Sequence, residues 1–275
     1  MIIVTGGAGF IGSNYIRYLN SIGRTDILVV DSKLDNYKNL NGLKYTSYLD
    51  KDDFNNTTDL TNVEAIIHLG ATSDTMASSE LCYDNNYKYT LQLFFNAMKH
   101  YIPFIYASSA SVYGNNGTPL NYYAASKLMA DITINNRAVG LRFFNVYGPN
   151  ESHKREMRSF ITKVIDGDTR LFRGTEESSR DYIYIKDVVK IIDYFRLHYK
   201  PGIYDVGTET SITYSDLFKY IGKTPNMIDM PINLEGKLQV GTKADLGPLR
   251  AAGYTDKFYS LKEALMEMKQ WIRSV

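Results

Sequence analysis

The stretch MIIVTGGAGFIGSNYIRYLNSIGRTDILVVD, residues 1–31, decides the fold of this chain. It begins with a short apolar run that ends at Thr5. A glycine-rich turn at residues 6–12 leads into a helical pattern, and a second apolar run ends at Asp31. Strand, glycine turn, helix, strand and acid, in this order, are typical of the first unit of a doubly wound parallel sheet. The sequence therefore predicts an α/β protein that starts with a Rossmann-type unit.

The three glycines of the turn, Gly6, Gly9 and Gly12, indicate what this unit binds. Glycines at this spacing let the backbone turn tightly, let a pyrophosphate approach it, and let the helix pack close to the strand. The first helical turn offers unpaired N–H groups and a positive dipole end to that pyrophosphate. Asp31 stands where a carboxylate accepts hydrogen bonds from the adenosine ribose. A glycine triplet alone is a weak signal, but the strand, helix and acid around it favour dinucleotide binding over a plain glycine-rich turn.

The loop after Asp31 leaves the choice of dinucleotide open. A lone acid favours an unphosphorylated ribose, as in NAD, whereas Lys33 and Lys38 could bind the 2′-phosphate of NADP. Two solvated surface lysines explain the same residues equally well.

The bulk composition excludes several classes of protein. The 275 residues are 44% hydrophobic and 22% charged, as in an ordinary soluble globular protein. The net charge of +1 indicates no strong electrostatic attraction to nucleic acid or to a membrane surface. The single cysteine, Cys82, excludes an intrachain disulfide framework and a cysteine-based zinc cage. No apolar run is long enough to span a bilayer. Because the sequence starts directly with a strand, we expect no signal peptide. We expect a cytoplasmic protein with no metal site.

The rest of the chain continues the alternation of strands and helices. Strands are predicted at 44–48, 64–70, 101–107, 139–149, 171–172 and 203–207, and helices at 51–54 (its start), 76–100, 159–166, 214–221 and 261–273. We expect a dinucleotide-binding domain over residues 1–148, to which residues 180–207 return. Residues 149–179 and 208–275 would form a smaller substrate-binding lobe over the cleft.

Tyr123 and Lys127 are the candidate chemical groups. They are four residues apart and so share one face of a predicted helix. The ammonium of Lys127 would lower the pKa of the Tyr123 phenol and make it a workable acid/base for a substrate hydroxyl. Ser109, at the end of the preceding strand, can hydrogen-bond the same oxygen. With 23 tyrosines, a chance pair on a solvated helix is the simple alternative. The position after a serine-rich strand end in a dinucleotide fold favours an active site.

Several motifs together resemble the extended short-chain dehydrogenase/reductase family, whose members mostly process nucleotide-diphosphate sugars. They are TGGAGFIG at 5–12, Ser109, Tyr123-x-x-x-Lys127 and RFFNVYGP at 142–149. Further stretches resemble the ADP-heptose 6-epimerases within that family, so that the likeness spans essentially the whole chain. These are 84–87, 102–110, His153-Lys154, Arg180-Asp181 and 244–254.

The resemblance implies a set of binding residues. Besides the glycines, the dinucleotide would be contacted by Phe10, Ile11, Asp31, Ser32, Lys38, Lys51, His68, Leu69, Gly70, Ala71, Thr72, Asn85, Lys127 and Val146. The sugar nucleotide would be contacted by Ser109, Asn145, Lys163, Phe172, Arg173, Gly174 and Arg180. Lys38 at the family's position favours NADP, with NAD still possible. A homo-oligomer, with a pentamer as the expected form, is implied as well.

The resemblance also implies a second acid/base, Lys154. When a carbinol carbon is inverted by oxidation and re-reduction, the hydroxyl proton leaves in one geometry and returns in another. Tyr123 would therefore serve one epimer and Lys154 the other. Without the resemblance, Lys154 would be interpreted as a phosphate- or solvent-facing lysine of a basic loop. Glu156 and Leu238 depart from the expected sugar contacts and leave the exact sugar open. Another nucleotide-sugar epimerase or reductase is therefore the alternative. A non-catalytic dinucleotide sensor is a more distant one, because such proteins usually lack one residue of the Tyr–Lys pair.

Overall fold

A seven-stranded parallel sheet forms the centre of the computed structural model, which describes residues 1–32, 38–54 and 58–274. The elements in chain order are β1 (Ile2–Thr5), α1 (Phe10–Ser21), β2 (Ile27–Asp31), β3 (Ser47–Asp50), β4 (Ala65–His68), α2 (Ser79–Cys82), a π-helical turn (Tyr83–Lys88), α3 (Tyr89–Lys99), β5 (Phe104–Ser109), α4 (Tyr122–Ile134), β6 (Val139–Phe143), β7 (Asn145–Tyr147), α5 (Phe160–Ile165), β8 (Arg170–Phe172), β9 (Ser179–Tyr184), α6 (Ile185–Leu197), β10 (Gly202–Val206), β11 (Ser211–Thr213), α7 (Tyr214–Ile221), β12 (Asn226–Ile228), α8 (Gly247–Ala251) and α9 (Leu261–Ser274).

The strand order of the central sheet is β10-β6-β5-β4-β1-β2-β3, and every neighbouring pair is parallel. The chain runs outward from β1 to β3 and then crosses back to β4 on the other side of β1. This reversal is the topological switch point at which open α/β sheets bind ligands, beyond the carboxyl ends of their strands. The predicted doubly wound sheet is confirmed.

Helices cover both faces of the sheet because its strands are apolar on both sides. Ile2 and Val4 of β1 point into the larger hydrophobic cluster, which also contains residues of α1 and α6. Ile3 points into the second cluster, with Leu93 and Phe94 of α3. No helix in the described ranges is long and apolar enough to span a bilayer.

Two smaller sheets lie outside the central one. The first has the order β11-β9-β7, and the second pairs β12 with β8. Residues 208–275 do more than form a lobe beside these two sheets. Leu249 of α8 and Ala264 and Met268 of α9 belong to the larger hydrophobic cluster at the central sheet. The division into two domains stays a prediction.

The predicted single strand over 139–149 is wrong. It is two strands in different sheets, β6 and β7, with a break at Phe144. The Phe144 N–H donates to the carbonyl of Val206 at the end of β10, and the next residue, Asn145, pairs with Tyr182 of β9. Hydrophobicity runs through both strands, so it could not mark the change of sheet.

The helix predicted to start at Lys51 is wrong as well. The backbone N–H of Asp52 donates to Oδ1 of Asp50, and those of Asp53 and Phe54 donate to its carbonyl, so the aspartate closes a turn instead of a helix. The strand predicted at 44–48 lies at β3, a few residues later.

The helix predicted at 76–100 begins only at Ser79, where the Ser78 hydroxyl caps it by accepting from the Leu81 N–H at 3.2 Å. It passes through the π-helical turn before continuing as α3. The π turn is a local detail of backbone geometry that the apolar pattern does not encode.

Asp187, in the first turn of α6, is a fully buried acid with an incomplete set of partners. Its Oδ2 accepts from the Tyr259 N–H at 2.9 Å, but its Oδ1 has no hydrogen-bond partner within the described structure. Burial raises the pKa of Asp187 to about 6, and the nearby Asp256 and Glu263 add to the rise. A folded-state pKa above the unfolded value means that the folded protein binds the extra proton. Proton binding by Asp187 therefore stabilises the folded protein. This contribution to the free energy of unfolding is fully present below about pH 4 and is lost as the pH rises through about 6.

We therefore expect Asp187→Asn to stabilise the protein at neutral pH. The full pKa shift corresponds to an upper limit of about 3 kcal/mol, and screening by nearby solvent should leave a gain of roughly 1 kcal/mol. Urea unfolding of both proteins between pH 4 and pH 8 measures this gain. It should vanish at pH 4, where Asp187 is protonated. A variant that is less stable at pH 7, or a gain that does not depend on pH, would contradict this assignment.

Candidate active site

A cavity of about 640 Å³ lies at the carboxyl ends of β1, β4, β5 and β6. Its walls include the glycine turn before α1 and the segment between β7 and α5. The residues predicted from the sequence that line it are Gly6, Gly9, Phe10, Ile11, Gly12, Asp31, Leu69, Gly70, Ala71, Ser109, Tyr123, Lys127, Asn145, Val146 and Lys154.

The glycine turn can exist only with glycines at two of its positions. Gly6 has φ +66°, and a Cβ placed on it would lie 2.5 Å from the backbone nitrogen of Gly70. A Cβ on Gly12 would lie 2.2 Å from the carbonyl oxygen of Gly6. No side chain caps the amino end of α1, whose N-cap is Gly9. The turn at residues 6–12, called here the glycine cradle, therefore presents the uncapped amino terminus of α1 to the cavity. This arrangement fits a pyrophosphate.

Asp31 joins this cavity to a second one. Its Oδ2 accepts from the Ala8 N–H at 2.9 Å and its Oδ1 from the Ser32 N–H at 2.8 Å, so the carboxylate is tied to the glycine turn. Burial raises the pKa of Asp31. The second cavity, of about 120 Å³, is lined by Thr5, Gly6, Val30, Asp31, Ser32, Lys51, Gly70, Ala71, Thr72, Asn85 and Tyr89. The two cavities meeting at Asp31 have the arrangement that an extended dinucleotide needs.

His68 lines neither cavity. The ring is fully buried, with Nδ1 2.6 Å from Oγ1 of Thr5 and Nε2 2.9 Å from Oγ1 of Thr90. Burial lowers the pKa of His68 to about 3, so that the ring is neutral. Its side chain holds β4 to β1, as expected of a satisfied strand-end histidine, and the backbone that follows it, residues 69–72, reaches the cavities.

The strand end after His68 is held by Asn86. Oδ1 of Asn86 accepts from the Thr72 N–H at 2.8 Å, and its Nδ2 donates to the Thr72 carbonyl at 3.0 Å and to the Ser126 hydroxyl at 3.1 Å. The predicted Asn85 makes one bond, from its Nδ2 to Oγ1 of Thr72 at 3.2 Å, and its side chain reaches the second cavity. Asn86 therefore braces this strand end, and Asn85 adds one further bond to it.

Tyr123 and Lys127 both face the larger cavity from α4, whose first turn is capped by Asn121. Nζ of Lys127 donates to the carbonyl of Ala107 at 2.8 Å. The residue is only 2% exposed, and burial lowers its pKa to about 8. Asp131, one helical turn further, opposes that shift. Lys127 is thus a fixed cation buried at the floor of the cavity.

The pKa of Tyr123 is raised, opposite to the predicted direction. Burial of the phenol is the dominant cause, and the nearby Ser109 hydroxyl only partly offsets the rise in pKa. Desolvation disfavours the phenolate, and the spacing of Tyr123 and Lys127 carries no information about burial. The phenol is therefore a proton donor at neutral pH.

Lys154 reaches the same cavity from a short 3₁₀ segment, Ser152–Met157. Its Nζ lies 5.3 Å from the centre of the Phe10 ring, at the glycine turn. Burial lowers the pKa of Lys154, and Glu151 partly opposes this. The structure thus brings a phenol and an amine from distant parts of the chain to one cavity. Burial disfavours the charged form of both groups, so it raises the pKa of Tyr123 and lowers that of Lys154.

Those of the remaining predicted residues that the structure describes lie outside both cavities. Lys38 is exposed at the start of a 3₁₀ turn, and Lys33 falls outside the described residues. Arg180 donates to the carbonyls of Ser179 at 2.8 Å and Gln239 at 2.7 Å, while Arg173 pairs with Asp229 at 3.1 Å. Lys163, Phe172 and Gly174 also lie beyond the cavity walls.

Several lining residues were not singled out from the sequence: Ser73, Thr75, Tyr89, Met157, Arg158, Ser159 and Phe160. Ser108, Phe143 and Phe144 also line the cavity and belong to the quoted motifs, but no role was predicted for them. Ser73 and Thr75 follow the end of β4 directly, and the rule that ligands bind beyond strand ends could have found them. The segment around Met157 carries no comparable signal. Within the described ranges, no cluster of three or more His, Cys, Asp or Glu side chains is arranged to hold a metal ion.

Comparisons with known proteins agree with this geometry. A sequence profile of the NAD dependent epimerase/dehydratase family matches residues 2–207. The chain is 42% identical, over 299 aligned positions, to the ADP-L-glycero-D-manno-heptose-6-epimerase of Brachyspira hyodysenteriae, covering 95% of this chain and 94% of that protein. The crystal structure of the Helicobacter pylori ADP-L-glycero-D-manno-heptose-6-epimerase matches with a TM-score of 0.83 at 28% identity, covering 100% of this chain and 96% of that one. A UDP-N-acetylglucosamine 4-epimerase from Methanobrevibacter ruminantium, at 24% identity and a TM-score of 0.87 over 99% and 98% of the two chains, shares the fold.

Proposed function

We propose, from the premise that this chain belongs to the NAD dependent epimerase/dehydratase family, that it is a nucleotide-sugar isomerase. Its reaction would convert ADP-D-glycero-D-manno-heptose to ADP-L-glycero-D-manno-heptose by transient oxidation and re-reduction at C6 of the heptose. One observation carries the proposal: Tyr123 and Lys154 line a single cavity together with the glycine cradle. The name and high coverage of the Brachyspira relative support the choice of sugar.

The dinucleotide would occupy both cavities. Gly6, Gly9 and Gly12 would hold its pyrophosphate, and Asp31 and Lys51 would flank its adenosine half. When bound, the dinucleotide would supply the reversible hydride chemistry that oxidation and re-reduction of the sugar carbon require. Lys127, the fixed cation at the floor of the cavity, would orient the nicotinamide ribose.

The protein's own task is to move the hydroxyl proton. The lowered pKa of Lys154 favours an amine that can take the proton from one epimer. The raised pKa of Tyr123 favours a phenol that can give a proton to the oxygen of the other. The Ser109 hydroxyl, which lines the same cavity as the phenol, would hold the sugar oxygen beside it. In the reverse direction the two groups exchange roles, so that both epimers are served without a change in net charge.

We further propose NADP as the dinucleotide and the cytoplasm as the location. The single cysteine supports a reducing compartment. The NADP preference depends on Lys38, which is exposed and follows the loop after Asp31. Mass spectrometry of the dinucleotide that copurifies with the protein tests this choice, and bound NAD in place of NADP would reject it.

A homo-oligomer is also part of the proposal. Large apolar side chains are exposed on two adjacent helices, Phe95 and Met98 on α3 and Met129 and Ile132 on α4, and such a surface is typical of an interface. We expect light scattering after gel filtration to give a multiple of the 31.3 kDa chain mass, with a pentamer as the resemblance implies. A monomer at micromolar concentration would contradict this part.

The function is tested by incubating the purified protein with each ADP-heptose epimer separately and analysing the products by chromatography and NMR. The proposal predicts the same mixture of both epimers from either side, with no net consumption of dinucleotide. Net consumption of NADPH would indicate a reductase. No interconversion by protein that retains its dinucleotide would reject the epimerase, and would favour a sensor or a different sugar.

A further inference from the structure

We propose that Glu151 is a positioning residue, whose buried carboxylate fastens both ends of the loop that carries Lys154 and keeps a negative charge beside that lysine. The inference rests on the proposed function, since it matters for catalysis only if Lys154 is the second acid/base. The loop comprises residues 149–158 and is called here the Lys154 loop.

Both ends of the Lys154 loop are bonded to this single carboxylate. Its Oε1 accepts from the Gly148 N–H at 3.0 Å, before the loop, and from the hydroxyls of Ser159 at 2.9 Å and Thr162 at 2.8 Å, after it. Its Oε2 accepts from the Ser159 N–H at 2.6 Å. One side chain therefore closes the loop from β7 to α5, and the position of Lys154 in the cavity depends on it.

The charge of this carboxylate is not matched by an ion pair. Glu151 is only 1% exposed, and all four of its hydrogen bonds come from neutral donors. Within the described ranges, no lysine, arginine or histidine nitrogen lies within 4.0 Å of it. A buried charge without a counter-ion acts strongly on nearby cations. Lys154 is such a cation, and Glu151 raises its pKa against the lowering by burial.

The loop needs such a fastening because its backbone is strained. Arg155, directly after Lys154, has φ +48° and ψ −118°, a conformation that a side chain with a Cβ rarely adopts. The Lys154 N–H donates to the Glu151 carbonyl at 2.9 Å, so the two residues are also joined through the backbone. The strain is maintained only while both ends of the loop are held.

Other titratable groups surround Lys154. Within its own loop they are His153, Arg155, Glu156 and Arg158, and Asp31, Tyr123 and Lys127 line the same cavity. His153 is paired through Nδ1 with Asn39 at 2.9 Å, and both burial and Lys154 lower its pKa. Of these and Glu151, only Glu151 acts appreciably on the ionisation of Lys154.

Two substitutions separate the role of Glu151 in holding the Lys154 loop from the effect of its charge on Lys154. Glu151→Gln keeps the length but removes the charge, and its amide would face the Ser159 N–H donor. Glu151→Asp keeps the charge but is too short to reach both ends of the loop. The matched control is Asp193→Asn, which removes a buried carboxylate bonded to Tyr15 and Arg196 on α1 and α6, away from the cavity.

The readout is the ionisation of Lys154, measured by trace acetylation over pH 7–11 with mass spectrometry of the Lys154 peptide. It requires no turnover, so it remains valid if the proposed function fails. We expect Glu151→Gln to lower the midpoint of the acetylation curve by about 0.5–1 pH unit, Glu151→Asp not to lower it, and Asp193→Asn to leave it in place. For the epimerisation, both Glu151 variants should lower kcat at least about 10-fold, and Asp193→Asn should not.

An unmoved Lys154 midpoint in Glu151→Gln, or an equal shift in Asp193→Asn, would overturn the inference. Wild-type kcat in Glu151→Asp would equally reject the fastening role. If the wild-type protein does not interconvert the epimers, the proposed function fails, and the acetylation midpoint still decides whether Glu151 controls Lys154.

Discussion

Tyr123→Phe is expected to lower kcat for epimerisation by at least about 10³-fold in both directions, with the dinucleotide still bound. The substitution removes only the hydroxyl of a side chain that lines the cavity. Without it, the oxygen of one epimer has no proton partner, whereas the glycine cradle and Asp31 are untouched. Steady-state kinetics with each ADP-heptose epimer and quantification of the copurified dinucleotide measure the two effects separately.

Tyr122→Phe is the matched control for this experiment. Tyr122 precedes Tyr123 on the same helix, but it is exposed and does not line the cavity. It should retain wild-type kcat. If Tyr123→Phe turned over within a factor of about ten of the wild type, the phenol would not be the acid/base group. Loss of the dinucleotide along with activity would instead indicate that Tyr123 serves binding.

Lys154→Met is the second decisive variant, and it should lower kcat by a similar factor, at least about 10³-fold. Methionine keeps the length and apolar stem of the side chain and can still pack on the Phe10 ring, but it removes the amine. A lysine that only held a phosphate would behave differently, because its loss would raise KM and leave kcat largely unchanged. The split between KM and kcat therefore distinguishes the two roles of Lys154.

Arg155→Met is the control for Lys154→Met. Arg155 is the adjacent cation in the Lys154 loop, is exposed, and lies outside the cavity wall. Its substitution should leave kcat within a few-fold of wild type. Equal loss of activity in both variants would mean that the loop responds to any change and that Lys154 has no special role.

The fold was largely predictable because its signals are local. Residues 1–31 contain two apolar strands, a glycine turn and a terminal acid within one short stretch, and each of these features is confirmed by the structure. The switch between sheets at Phe144 was not predictable. It depends on a bond to Val206, far along the chain, and the apolar run continues through it.

The candidate site was predictable only in part, since its groups come from distant segments. The spacing of Tyr123 and Lys127 marks a helix face, but it cannot reveal that burial raises the phenol pKa. The meeting of Tyr123 with Lys154 followed from family resemblance and from no pattern in the residues themselves. Glu151 gave no signal at all, because its partners at 148, 159 and 162 assemble only in the folded chain.

Interconversion of the ADP-heptose epimers in D2O, by the protein as purified and without added dinucleotide, tests the central claim most directly. The hydride at C6 leaves and returns within one closed site in this account, so both epimers should form with hydrogen, and no deuterium, at C6. NMR and mass spectrometry of the product read this position. Deuterium at C6, or no interconversion by protein that carries its dinucleotide, would contradict the account.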